Sequence, residues 1–248
     1  MCIRDRSYCG GVPKVPNEFK YKFSWSPLGV LKALKSPSRS IKNFENFEVS
    51  RPWDAITSYT APLNNPEEFE VYPNRDSIPF IEQYIFDRNW KIKQFVRGTL
   101  RLKGWAQAWA SIFNEIETLN GQAGEKRLIE MSEQFWRDNA YADNEPDRVI
   151  LCVDLKAEQN NHVIWHKTFK MDAWGDTRGT AMARLVSYPV SFAVKAIIDN
   201  DTDHGVSAAS SKPYLVDNWL EDISSLAQEF DIIDPVSYTH LTLPTSPK

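Results

Sequence analysis

Apolar and polar side chains alternate between residues 94 and 103, where Val96, Leu100 and Leu102 share one parity and Arg97, Thr99, Arg101 and Lys103 the other. Successive side chains of a strand point to opposite faces, so this spacing predicts a half-buried strand with a basic face. Gly104 ends the alternation, and Trp105, Trp109, Ile112, Phe113 and Ile116 then recur at intervals of three and four. That is the pattern of an amphipathic helix, and it makes the tryptophans core residues rather than a stacking platform for bases. A turn from Gly121 to Gly124 leads to a second helix over residues 125–137. Residues 148–158 and 162–172 are two apolar-rich runs separated by Gln159, Asn160 and Asn161, which predicts a β-hairpin.

Upstream, residues 8–13 (YCGGVP) predict the end of a strand entering a glycine turn. Ser26 is placed to cap a helix with Pro27 at its first position, and Leu28, Leu31 and Leu34 carry that helix to about Ser36. Residues 44–72 alternate short extended pieces with proline-containing turns. Ser77 then predicts an N-cap for residues 78–86, so that Arg75 stands just ahead of a helix N-terminus. Residues 179–199 form a long apolar helical segment, expected to kink or split at Pro189, and residues 214–230 a final amphipathic helix. Strands and helices in this order predict an α+β fold, a mixed β-sheet covered by helices.

Composition narrows the function. The 248 residues are 42% hydrophobic and 25% charged, with a formal net charge of −4. That balance disfavours a nucleic-acid partner, which would want a basic stripe. No apolar run approaches the roughly 20 residues of a membrane span, so the expectation is a cytoplasmic protein that binds a small molecule and no membrane. Cys2, Cys9 and Cys152 lack the spacing of a metal or disulfide framework. His162 and His166 share a strand face without a third ligand in reach, so no metal is expected. The acidic residues from Glu145 to Asp147 suggest a solvated loop. The ends break the pattern: residues 1–6 (MCIRDR) and 236–248 (VSYTHLTLPTSPK) resemble translated adapter sequence and are set aside from the fold.

By chemistry alone, Arg75 before a helix and the Arg97, Thr99, Arg101 face suit either a carboxylate site or a solvated surface. Four ordered motifs separate these readings. YCGGVP (8–13), YKFSWSPLGV (21–30), YPNRDS (72–77) and RGTLRLKGW (97–105) occur in the order seen in saccharopine dehydrogenases of the glutamate-forming type, and residues 179–197 resemble their C-terminal helix. The resemblance spans about residues 8–234. It implies an oxidoreductase of lysine metabolism that moves a hydride between NADP, or NAD, and the carbon–nitrogen bond of saccharopine, yielding glutamate and 2-aminoadipate semialdehyde.

The resemblance further implies substrate contacts from Arg75, Thr99, Leu100 and Arg101, and a cofactor border at Ser24, Trp25 and Ser26. It places Cys9 at the reacting centre, as a proton-transfer group or simply as a small residue closing a turn. It implies a homodimer whose residues 7–178 form the substrate-binding and dimerisation domain, with residues 179–235 packing on a Rossmann domain. The glycine fingerprint of that domain is not in this chain, so the cofactor is expected to bind mainly elsewhere and the chain is expected to be an inactive fragment. The interval between residue 105 and the strand at 148 is short for the fungal form. Two other readings stay open: an enzyme like carboxynorspermidine dehydrogenase, and a non-catalytic amino-acid-binding or dimerisation domain.

Overall fold

The computed structural model describes residues 1–208 and 210–235, so the second adapter-like segment, 236–248, lies outside the described residues. The chain runs β1 (Cys2–Pro13), α1 (Pro27–Lys35), β2 (Ser38–Lys42), β3 (Glu45–Val49), β4 (Thr57–Ala61), β5 (Glu67–Pro73), the short α2 (Pro79–Gln83) and β6 (Lys91–Leu102). It continues with α3 (Trp105–Ala108), α4 (Ala110–Thr118), α5 (Gly121–Asn139), β7 (Asp147–Gln159), β8 (His162–Trp174), α6 (Ala181–Ile198), α7 (Pro213–Leu226) and β9 (Glu229–Ile233). The strands form one mixed sheet in the order β3-β2-β6-β1-β7-β8-β9, with β4 attached through β5 to the far half of β6. This is the predicted α+β architecture. β1 and β6 run parallel, and the other strand ladders are antiparallel.

One in-register row shows how the sheet is covered. Tyr72, Thr99, Cys9, Leu151 and Met171 are successive partners across β5, β6, β1, β7 and β8, so their side chains share a face. Tyr72 belongs to a core cluster with Tyr21, Phe23, Leu31, Trp105, Trp109 and Ile116, built by α1, α3, α4 and α5. Met171 belongs to another with Val149, Ala173 and Ala181, closed by α6, α7 and the half-buried Met182, Leu185 and Ile223. Cys9 and Thr99 lie between the two helical groups, on the floor of a valley. The opposite face is sealed by Val12, Leu63, Phe69, Val71, Leu100, Ile150 and Cys152.

Several local expectations hold. Ser26 Oγ accepts from Gly29 N at 3.3 Å and caps α1. The β7–β8 hairpin turns at Asn160 and Asn161, both with positive φ. Trp105 and Trp109 are fully buried.

Others are corrected. Gly10 and Gly11 lie inside β1 rather than in a turn, and they are small because neighbours crowd them. A Cβ on Gly10 would come within 2.4 Å of the Leu100 carbonyl oxygen, and one on Gly11 within 2.4 Å of Met182 Cε. The segment set aside at the N-terminus is also in β1: Cys2 to Arg6 pair with both β6 and β7. The helix read as starting at Trp105 breaks into α3 and α4 at Trp109, and α5 begins at Gly121 itself. Ser77 caps nothing; it is buried, and its hydroxyl accepts from Arg97 N at 3.0 Å. Asp147 is buried too, its two oxygens accepting from Ala181 N and Met182 N at the start of α6.

Pro189 does not divide α6. This helix has the length and mean hydropathy (1.4) of a membrane span, contrary to the sequence expectation, with 17% of the segment buried. Its first turn is tied into the fold, since buried Arg184 donates to Asp176 Oδ1 and to the carbonyls of Gly179, Trp174 and Leu226. Val186, Val190 and Ile197 are exposed, while Phe192 is half-buried.

The two glycines of β1 predict unequal tolerance. Gly10→Ala meets backbone and should cost about 2 kcal/mol or more, whereas Gly11→Ala meets the end of a flexible methionine and should cost less than about 1 kcal/mol. Chemical denaturation of the two variants measures the difference.

Candidate functional site

The valley floor is built around Arg101. Its parity puts it on the helix-covered face of β6, and there it is buried rather than solvated. Nη1 donates to the Leu100 carbonyl at 3.2 Å and Nη2 to the Tyr72 phenol oxygen at 3.1 Å, while the buried Nε has no partner. Aromatic rings surround the guanidinium: Tyr21 at 4.6 Å, Trp105 at 5.4 Å and Tyr72 at 5.7 Å from ring centre to Cζ. Such contacts contribute roughly 0.5–2 kcal/mol each, well below the cost of burying a bare charge. No carboxylate pairs with Arg101 among the described residues. Its cross-strand neighbour Glu70 is occupied elsewhere, accepting from Gly104 N at 2.9 Å and Ala106 N at 2.7 Å.

Thr99 stands beside this group, half-buried, as the cross-strand partner of Tyr72. Burial raises the Tyr72 phenol above its ordinary range, and Arg101 opposes that shift. Cys9 is the partner of Thr99 on β1 and its side chain is exposed. The surrounding protein nevertheless pushes its thiol up to about 11, against the fields of Arg101 and Arg97. The residue is accessible at the surface, and the protein packed around it disfavours the charged form. At neutral pH Cys9 is therefore a thiol that holds its proton, not a base or a thiolate nucleophile.

The remaining expected residues fall in three places. The Leu100 side chain is fully buried on the opposite face, so what it offers this side is a carbonyl already bonded to Arg101. Trp25 is exposed and donates from Nε1 to the Tyr21 phenol at 3.3 Å, which links the Ser24, Trp25, Ser26 segment to the ring lying against Arg101. Arg75 does not sit at a functional helix N-terminus, because α2 is five residues long and starts beyond Ile78. It is exposed at positive φ, its carbonyl accepting from Arg39 N at 2.9 Å, next to Asn74, whose N–H donates to the Arg97 carbonyl. The structure thus joins Cys9, Thr99 and Arg101, and puts Arg75 at the Arg97 end of the strand.

Tyr21 and Trp105 were absent from the sequence-derived site. Helical spacing marked Trp105 as core, which it is, and Tyr21 entered only as part of a motif; nothing local shows that either ring also faces a cation. His166 bonds Asp154 Oδ1 at 2.7 Å, and no cluster of three metal-binding side chains occurs among the described residues. A cavity of about 310 Å³ reaches Tyr72 and is otherwise lined by residues such as Lys42, Phe47, Thr57 and Gln94, and it includes none of Cys9, Arg75, Thr99, Leu100 and Arg101.

A mixed sheet covered by helices, with a buried guanidinium that no carboxylate pairs among the described residues, defines the class of the chain, an α+β domain. The chain belongs to the saccharopine dehydrogenase C-terminal domain family, whose model matches residues 4–225. It is 38% identical over 264 aligned positions to the mitochondrial alpha-aminoadipic semialdehyde synthase of Rattus norvegicus, covering 79% of this chain and 28% of that protein. It is 26% identical over 260 positions to saccharopine dehydrogenase (NADP(+), L-glutamate-forming) of Saccharomyces cerevisiae, covering 78% of this chain and 58% of that one. The chain thus spans well under two thirds of either relative. The solved structure of apo histidine-tagged saccharopine dehydrogenase (L-Glu forming) from the same yeast shares the fold, with a TM-score of 0.68 at 22% identity over 93% of this chain and 67% of that one.

Alkylation of Cys9 should report this electrostatic setting. Between pH 7 and 10 the rate, followed by peptide mass spectrometry, should climb continuously toward a midpoint near 11. Arg101→Gln removes a field that lowers the midpoint and should shift the curve to higher pH; a plateau by pH 8 would show the thiol to be activated instead.

Proposed function

We propose that this chain supplies the substrate-binding part of a glutamate-forming saccharopine dehydrogenase, an oxidoreductase acting on the carbon–nitrogen bond of saccharopine with NADP as hydride acceptor. The observation that carries the reading is Arg101: a buried guanidinium with an unpartnered Nε and no carboxylate, on the sheet face where Cys9 is exposed. In a family whose curated relatives are named for saccharopine, a polycarboxylate substrate is the natural counter-ion. A polyamine substrate would need anionic partners here, so the carboxynorspermidine-like alternative is disfavoured.

In this reading Arg101 pairs with a substrate carboxylate while Tyr72 and the rings of Tyr21 and Trp105 hold its fork in place. Thr99 adds a hydroxyl, and Cys9 offers a neutral S–H to the bound amine region. The cofactor does not fit the described residues. Gly10 and Gly11 are packed against Leu100 and Met182 rather than open to a phosphate, and the parallel β1–β6 pair lacks the glycine fingerprint that opens a dinucleotide-binding helix. Trp25 and Ser26, both exposed, can border a nicotinamide held by another domain, and no step is assigned to that group. Homodimer formation and a cytoplasmic setting complete the proposal.

Calorimetric titration with saccharopine tests it. The wild-type chain should bind saccharopine in preference to a polyamine, and Arg101→Gln, which keeps a donor for Tyr72, should weaken binding at least about thirtyfold, or about 2 kcal/mol. Equal affinity in Arg101→Gln, or tighter binding of spermidine, would overturn the assignment.

A further inference from the structure

Arg97 precedes Arg101 by four residues on the same face of β6. Its guanidinium lies 3.7 Å from the centre of the Phe80 ring, which both shields it and fixes its direction. It makes no ion pair among the described residues. Asp5 lies within its field without pairing, and Asp5 Oδ1 instead accepts from Ser7 Oγ at 2.9 Å.

The two arginines diverge. Phe80 follows the end of β5, which reaches β6 at Gly98, whereas Trp105 follows the end of β6 itself. The guanidiniums therefore have different ring partners, Phe80 for Arg97 and Tyr21 with Trp105 for Arg101. A strand advances about 3.3 Å per residue, so their Cα atoms are about 13 Å apart. Midway between them are Thr99 and its partner Cys9, and the fields of both arginines fall on that thiol.

We infer that Arg97 is a second carboxylate receptor of the same site, so that the valley reads an extended ligand with carboxylates toward both ends and its amine over Thr99 and Cys9. The inference rests on the reading of Arg101 as a substrate receptor and adds the specificity for length. A ligand with carboxylates near one end only engages one arginine. Saccharopine, an amino-acid conjugate with carboxylates on both halves, engages two.

Calorimetric titration of the whole chain with saccharopine and with L-glutamate separates the possibilities. Arg97→Ala should weaken saccharopine at least about tenfold, the factor that 1.4 kcal/mol represents, with the thermal midpoint unchanged. Arg97→Lys should recover part of the loss, because the charge rather than the packing on Phe80 carries it. Glutamate should respond to only one of Arg97→Ala and Arg101→Gln. Unchanged saccharopine affinity in Arg97→Ala, with a loss in Arg101→Gln, would overturn this inference alone. No loss in either variant would overturn the assignment of Arg101 as well. Should Arg97→Ala lower the thermal midpoint, Arg97→Met, which keeps the stem over Phe80, takes its place with the same expected loss.

Discussion

The parallel pairing of β1 with β6 is the constraint from which the site follows. At Gly10 the two backbones approach so closely that a methyl group would strike the Leu100 carbonyl. The same contact aligns Cys9 with Thr99, turns Leu100 into the opposite core, and leaves Arg101 on the helix-covered face. β5 then adds Tyr72 opposite Thr99. Register here is chemistry as well as packing, because a one-residue slip would exchange the arginine face for the leucine face.

The helical groups decide what that face becomes. The segment before α1 and helices α3, α4 and α5 roof the end of β6 with aromatic rings, and α6 and α7 cover the β7 and β8 side. Between them the floor stays open at Cys9. A cation surrounded by rings is desolvated, and that setting strengthens a charge-assisted contact relative to one in bulk water.

Much of this was legible in the chain, and the gaps have physical causes. Alternation fixed the face of Arg97, Thr99 and Arg101, and helical spacing fixed the burial of Trp105 and Trp109. Parity says which side a residue takes but not what lies above it, so the basic face read equally as solvated. Tyr21 meets Arg101 across 80 residues of sequence, beyond any local pattern. Gly10 and Gly11 suggested a turn because glycine serves both bends and close approaches, and only the neighbouring strand tells them apart. Asp147 looked like a surface acid because its partners, the first N–H groups of α6, are over 30 residues away.

The charge on Arg101 is kept free by a diversion. Glu70 is directly across the ladder on the same face, where opposite charges ordinarily pair. Instead the positive φ of Gly104 turns the chain so that the first N–H groups of α3 face Glu70, and both carboxylate oxygens are spent on Gly104 and Ala106. A helix start favours an anion, so the alternative partner is a good one. One acid thus ties β5 to the helix that carries Trp105, and its absence from the guanidinium leaves Nε unpaired. Capping the helix and preserving the receptor are two results of the same pair of hydrogen bonds, which is why the glycine after the strand matters to the site as much as the arginine within it.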